Sequence, residues 1–191
     1  MDQLKTIVNS ISSMPDSEYE LVIPIIHRID VKKNTDILAH GQVCKSVYFV
    51  ESGFFRMFYI DYEGNEINCR FAQENGFMVD FHSFLTQKPS KYSWRAMQDS
   101  KVIALKYDDI HRLYDQSRAW ERFGRLIAEH VYRQINEREE MLHFQNPEQR
   151  YQTLLNVEPD LFNRVSQNQL SSYIGIKPES LSRLRKRLLR R

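Results

Sequence analysis

The chain is poor in the residues that build most metal and redox centres. Of its 191 residues only Cys44 and Cys69 are cysteine, and they lie far apart. That spacing excludes an all-cysteine iron–sulfur site and a CxxC zinc site within one chain, and it predicts two reduced thiols in a sheet. The histidines, at 27, 40, 82, 111, 130 and 143, never form an HxH or HxxxH pair. A metal enzyme built on a β-barrel needs such pairs plus a carboxylate, so no metal site is expected. Gly-x-Ser-x-Gly, P-loop and dinucleotide fingerprints are all missing, which argues against an enzyme. No apolar run approaches the roughly 18 residues of a membrane span. The first ten residues carry Asp2 and Lys5 and lack the basic-then-apolar layout of a signal peptide, so a cytoplasmic protein is expected.

What is present is an ordinary soluble composition, 41% hydrophobic and 27% charged. The charge is unevenly placed. From Arg164 to Arg191 there are eight basic residues against Glu179 alone, a net +7. The chain as a whole is +2, so residues 1–163 carry −5. A mildly acidic body with a basic end suggests an appendage that binds a polyanion, although a solvated basic helix end has the same composition.

The pattern changes twice along the chain. Residues 1–28 hold helix-like patches, with a short amphipathic helix expected after Ser17 and interrupted by Pro24. Between 30 and 106 apolar residues come in short runs: 37–38, 47–50, 54–60, 67–71, 77–84, 92–96 and 102–105. Four of the six glycines, at 41, 53, 64 and 76, punctuate them at nearly even intervals. Short strands with turn residues at that period predict an all-β barrel, sandwich or jelly roll. Ser52–Gly53 and Glu63–Gly64–Asn65 read as hairpin turns.

From 108 to 144 the period becomes helical. Trp120, Phe123, Ile127, Val131, Ile135 and Leu142 fall on one face, and no proline lies between Pro89 and Pro147. A helix of about 25 residues, near 38 Å long, exceeds what one small β-domain can cover. Its stripe, Phe123, Ile127, Val131, Ile135 and Leu142, is therefore expected to pack on a second copy of the chain, with an intrachain core stripe as the other reading. Asn146-Pro147 ends this helix and opens the next, since Asn146 caps, Pro147 suits the first turn and Gln149 completes a capping box. The expected division is 1–119, 120–145 and 146–191.

Ser166–Gln169 forms a second capping box. The helix it opens carries Leu170, Tyr173 and Ile174 and stops at Gly175. Pro178 then begins a last helix whose apolar face is Leu181, Leu184 and Leu188 and whose other face is rich in arginine and lysine. Helix, glycine turn and basic helix form a helix-turn-helix that presents the start of its second helix to base edges. Arginine can bond guanine bidentately, glutamate can accept from cytosine, and the later basic residues meet phosphates. An ordinary pair of packed helices has the same outline.

The segment from Leu170 to Arg183 (LSSYIGIKPESLSR) resembles the recognition motif of the Crp/Fnr family of bacterial transcription regulators. Ile174-Gly175 matches the family's turn, and Glu179, Ser182 and Arg183 match its Glu-x-x-Ser-Arg. The order of the chain also matches, from β-roll through long helix and hinge to helix-turn-helix. The resemblance implies an α+β fold: an N-terminal double-stranded β-helix (a jelly roll like a cyclic-nucleotide-binding domain), a long dimerisation helix and a C-terminal helix-turn-helix domain without a full wing. It implies double-stranded DNA as partner, a homodimer, and RNA polymerase as a further partner. The expected DNA-binding residues are Gln167, Lys177, Glu179, Ser180, Ser182, Arg183, Lys186 and Arg190. Three positions depart from the pattern. Ser171 replaces the usual alanine, Lys177 stands where a Ser or Thr commonly caps, and after Arg191 no residues remain for a β-hairpin wing.

Cyclic-nucleotide-binding relatives supply a Gly-Glu pair for the ribose and an Arg-Ser or Arg-Ala pair for the cyclic phosphate. Here Val79 and Asp80 stand at the first pair, and Ser90, before Lys91, stands at the arginine. Valine blocks close backbone approach and the phosphate anchor is missing, so no tight cyclic-AMP binding is expected. The candidate effector pocket is Val79, Asp80, Ser90, Lys91 and Arg95, the last two being the cations able to restore an anion site. The effector and any cofactor are unknown. Two rival functions remain: a cyclic-nucleotide or small-anion sensor whose C-terminal helices bind a protein, and a β-barrel enzyme.

Overall fold

The computed structural model describes residues 2–188. In chain order it has α1 (Asp2–Ile11), α2 (Asp16–Glu20), β1 (His27–Val31), β2 (Asp36–Leu38), β3 (Ser46–Ser52), β4 (Phe54–Ile60), β5 (Glu66–Gln73), β6 (Phe77–Met78), α3 (Phe81–Thr86), β7 (Ser93–Ala96) and β8 (Ser100–Lys106). Then come α4 (Tyr107–Gln116), α5 (Arg118–Phe144), α6 (Pro147–Val157), α7 (Leu161–Arg164), α8 (Gln167–Tyr173) and α9 (Pro178–Leu188). The class is α+β.

The strands form two four-stranded sheets, ordered β1-β8-β3-β6 and β2-β7-β4-β5. Apart from the β4–β5 pair, strands that follow each other in sequence lie in different sheets, as in a jelly roll. The β3–β8 register runs from Ser46 opposite Lys106 to Ser52 opposite Lys101, with a bulge after Val50. Phe49, Phe55, Trp94, Val102 and Ile103 pack in the core of this roll, all but closed to solvent. At about 1.5–3 kcal/mol for each large side chain removed from water, this cluster is the main source of its stability.

Three local expectations change. Ser52–Gly53 is not a hairpin turn, because β3 and β4 lie in different sheets. Gly53, at φ +119°, is where the chain crosses between them. The run at 77–84 is a two-residue strand followed by α3, since the Asp80 carboxylate accepts the Ser83 N–H and starts a helix. The helix expected after Ser17 shrinks to the five residues of α2, followed by one 3₁₀ turn around Pro24. The Gly64 turn is a hairpin turn as expected: the Asp61 N–H donates to Asn65 O at 3.0 Å and Gly64 has φ +86°. The Asp61 carboxyl is held below the usual carboxylate range, chiefly by the Asn65 backbone N–H.

The helical period from 108 to 144 belongs to two helices. Ser117 is extended between them. Its hydroxyl accepts the Trp120 N–H at 3.2 Å and donates to the Glu18 carboxylate, so it caps α5. α5 then runs 27 residues.

The chain divides into two compact units. One contains the residues up to Tyr59 together with Arg70–His130, and the other contains Ile60–Cys69 with the chain from Val131 onward. This differs from the three-part division expected at 119/120 and 145/146. α5 is not a separate piece, and the tip of the β4–β5 hairpin belongs with the C-terminal helices.

The assignment of α5 to a dimer seam needs a correction at its start. Phe123 is enclosed in the core of the roll, its ring 5.9 Å from Phe77 and 5.5 Å from Trp120. It is not available to a partner. Ile127 packs against the same core and Val131 is buried within the chain. Ile135 and Tyr132 are 46% and 65% exposed, so the outward apolar surface begins about two turns later than the stripe suggests.

Candidate functional site

In the second unit the local signals read from sequence are all present. Asn146 and Gln149 make a reciprocal capping box at the start of α6, and Ser166 and Gln169 make another at α8. α8 ends in a Schellman-type closure. The Ile176 N–H donates to Ser171 O at 3.0 Å, and the Gly175 N–H donates to Ser172 O at 3.2 Å. Gly175 has φ +69°, which only glycine adopts without strain. Leu154, Leu161, Leu170, Ile174, Leu181 and Leu184 are buried and set the packing of α6, α8 and α9. Ser171, where the family pattern has alanine, is fully buried, and its hydroxyl is satisfied by Asn168 O at 2.9 Å.

With Leu181 and Leu184 turned inward, the opposite face of α9 is left to solvent. Lys177, Glu179, Arg183 and Lys186 are exposed, and Ser180 and Ser182 are half-buried. The Arg183 guanidinium lies 3.3 Å from the Ser180 hydroxyl, one turn back on the same side. Gln167 is exposed at the start of α8, and its side-chain amide donates to Pro178 O at 2.9 Å, tying the two helix starts together. Lys177 has no side-chain acceptor, and its carbonyl takes the Ser180 and Leu181 N–H groups at 3.0 and 3.1 Å. Arg190 lies outside the described residues.

Two groups near α8 gave no sequence signal. Asn68 is 1% exposed. Its side-chain amide donates to Ser172 Oγ at 2.8 Å, and Ser172 in turn donates to Gln169 O at 3.0 Å. Arg138, on α5, donates to Tyr173 O at 2.9 Å and Asn68 O at 3.3 Å, with its guanidinium 4.2 Å from the Tyr173 ring centre. A cation there satisfies carbonyls at the open end of α8. Leu142, predicted for the dimer seam, is half-buried close to the Gly175 turn, where an added Cβ would stand 3.2 Å from its Cδ2. We expect Asn68→Ala to lower the stability of this unit by about 1 kcal/mol, because the Ser172 hydroxyl and Gln169 O lose the Asn68 side-chain amide, while the Asn68 backbone carbonyl that Arg138 bonds is kept. Denaturant unfolding reads this directly, and an unchanged midpoint would count against the network.

The expected effector residues of the roll divide into two sets. Val79, Asp80 and Ser90 are buried. The Ser90 hydroxyl donates to Asp80 Oδ2 at 2.6 Å and accepts the Tyr92 N–H at 2.9 Å. The other Asp80 oxygen accepts the Ser83 N–H at 3.2 Å, and Ser83 Oγ accepts the Cys44 N–H at 2.9 Å. Lys91 is exposed. Arg95 is engaged elsewhere, paired through Nε and Nη2 with Asp36 at 2.5 and 3.0 Å and stacked 4.8 Å from the Phe58 ring centre. The segment therefore brings a carboxylate and a serine together, while Lys91 stands exposed and Arg95 pairs with Asp36. Burial pushes the Cys44 thiol above its ordinary value. Among the described residues no group of three or more His, Cys, Asp or Glu is placed to hold a metal. No helix among them is long and apolar enough to cross a membrane.

This architecture is that of the cyclic nucleotide-binding β-roll, and residues 28–117 match the family model described as the cyclic nucleotide-binding domain. Among solved structures the chain is similar to FixK2 from Bradyrhizobium japonicum, at 16% identity over 86% of this chain and 84% of that one, with a TM-score of 0.73. It is similar to the c-di-GMP responsive global regulator CLP of Xanthomonas campestris, at 18% identity over 92% of each chain, TM-score 0.72. It is also similar to the Thermus thermophilus catabolite activator protein, at 18% identity over 96% of this chain and 87% of that one, TM-score 0.61. No curated protein matches it in sequence. At such identities the likeness establishes the fold, a β-roll followed by a long helix and C-terminal helices.

Proposed function

We propose that the chain is a sequence-specific DNA-binding transcription regulator of the Crp/Fnr type, not an enzyme, acting in the cytoplasm as a homodimer on a near-palindromic operator. One observation carries this reading. α9 turns its leucines inward and leaves Glu179, Arg183 and Lys186 together on an exposed face, with Gln167 beside its start. Such a face offers bidentate donors to guanine and an acceptor to cytosine, on a rod that fits the major groove. Lys177 and the terminal arginines serve the phosphates. A second copy of the chain covers the outward surface around Tyr132 and Ile135, and two-fold symmetry then sets half-sites about 34–36 Å apart. RNA polymerase is the further partner this reading implies.

Selection from random duplexes at near-physiological salt tests the proposal. A two-fold-symmetric consensus is the expected result, and recovery of no sequence preference would sink it.

The effector is not cyclic AMP on this reading. A cyclic phosphate needs a cation and open backbone N–H groups, whereas here Asp80 brings negative charge and its oxygens are occupied by Ser83 and Ser90. Calorimetric titration with cyclic AMP should give no binding heat. Saturable heat in the micromolar range would refute this part alone.

A further inference from the structure

A groove of about 570 Å³ opens between the start of α6 and the exposed side of α9. Pro147 and Glu148 line one wall, and Ser180, Arg183 and Arg187 line the other. Across it the Arg187 guanidinium is paired with the Glu148 carboxylate. Glu148 is the more enclosed partner, its side chain 24% exposed against 58% for Arg187. Arg187 follows Arg183 by one helical turn, so the two guanidiniums line the same groove.

We propose that Glu148 is a positioning residue for DNA binding, an internal carboxylate that occupies Arg187 until a phosphate displaces it. The proposal rests on the DNA-binding reading of α9. A phosphodiester approaching Arg183 along this face also meets Arg187. It must then compete with the Glu148 carboxylate and bear its repulsion. A partly exposed pair of this kind is weak, so exchange is easy and the pair tunes affinity without blocking binding. Glu148 lies in the first turn of α6 and stands outside the recognition pair α8–α9, so no reading of the motif alone includes it.

Glu148→Gln keeps the shape and removes the charge. With a labelled mixed-sequence duplex titrated over a range of salt, the variant should bind about tenfold more tightly at low salt. The plot of log affinity against log salt should steepen by about 0.9 for each Arg187 released to a phosphate. Arg187→Gln should bind more weakly with a shallower slope, and Glu148→Gln should add little in that background. Melting curves of each variant report whether it is folded. If the wild type binds the duplex but Glu148→Gln binds no tighter, or if its gain survives undiminished without Arg187, the proposal is overturned while the DNA-binding reading stands. A folded wild type that binds no duplex overturns both.

Discussion

Replacing Arg183 by alanine is expected to cost about 1–3 kcal/mol of operator affinity per half-site, roughly 5- to 150-fold, and to relax the preference at one base pair. The side chain is exposed and its bond to Ser180 lies within α9, so its removal leaves no buried group unpaired. The loss should therefore fall on DNA binding and leave the melting temperature almost unchanged. Titrating the selected operator and its single-base variants separates the two effects. A loss of equal size on every sequence, random duplexes included, would assign Arg183 to the phosphates. Arg190, farther along the chain and one of the terminal arginines assigned to the phosphates, provides the contrast. Its alanine variant should weaken all duplexes alike and make the salt dependence shallower by about one phosphate contact.

The largest effect on stability is expected at Gly53. An added Cβ would stand 2.0 Å from Ser100 Oγ, 2.4 Å from Ser100 Cβ and 2.9 Å from its backbone Cα, at a φ of +119°. No rotation of Ser100 relieves the contact with its own Cα. Gly53→Ala combines backbone strain of about 1–3 kcal/mol with overpacking of about 1–3 kcal/mol. Gly64 is the control, because its φ is +86° with nothing within 4 Å of an added Cβ. Gly64→Ala should pay the conformational cost alone. Denaturant midpoints of the two variants should differ clearly, with Gly53→Ala the worse. Equal midpoints would mean that the sheet crossing yields more easily than its geometry implies.

The legible parts of the sequence were those decided within a few residues. Both capping boxes, the Gly175 turn, the Pro147 and Pro178 helix starts and the Gly64 hairpin turn each depend on side-chain and backbone groups a few positions apart. The inward leucines of α9 follow from the helical period. The switch to short strands after residue 30 was legible because glycines and apolar runs alternate at an even spacing. The same reasoning failed where one pattern serves two packings. The stripe from Trp120 to Leu142 has one period, yet Phe123 is spent on the core of the roll while Ile135 faces outward. Periodicity shows that a face is apolar and does not show what covers it. Ser117 was missed because its capping role depends on one hydroxyl and on Glu18, a distant residue.

The candidate site divides in the same way. Glu179, Ser182, Arg183 and Lys186 came from a motif confined to one helix, whose exposed side follows from its buried side. Asn68, Arg138, Glu148 and Arg187 gained their significance from contacts between elements far apart in the chain. A buried asparagine and a strand-end polar residue look alike in sequence.

The amino-acid order by itself determined a region of short strands, the long helix and the glycine-hinged helix pair, because hydrophobic period, caps and turn chemistry act over a few residues; that the strands form a β-roll came from the resemblance. Only the tertiary structure decided that Asp80 and Ser90 bond each other, that Arg95 is committed to Asp36, and that Glu148 holds Arg187. Those pairings require groups separated in the chain to meet at hydrogen-bonding distance, and that meeting is set by how the sheets and helices pack.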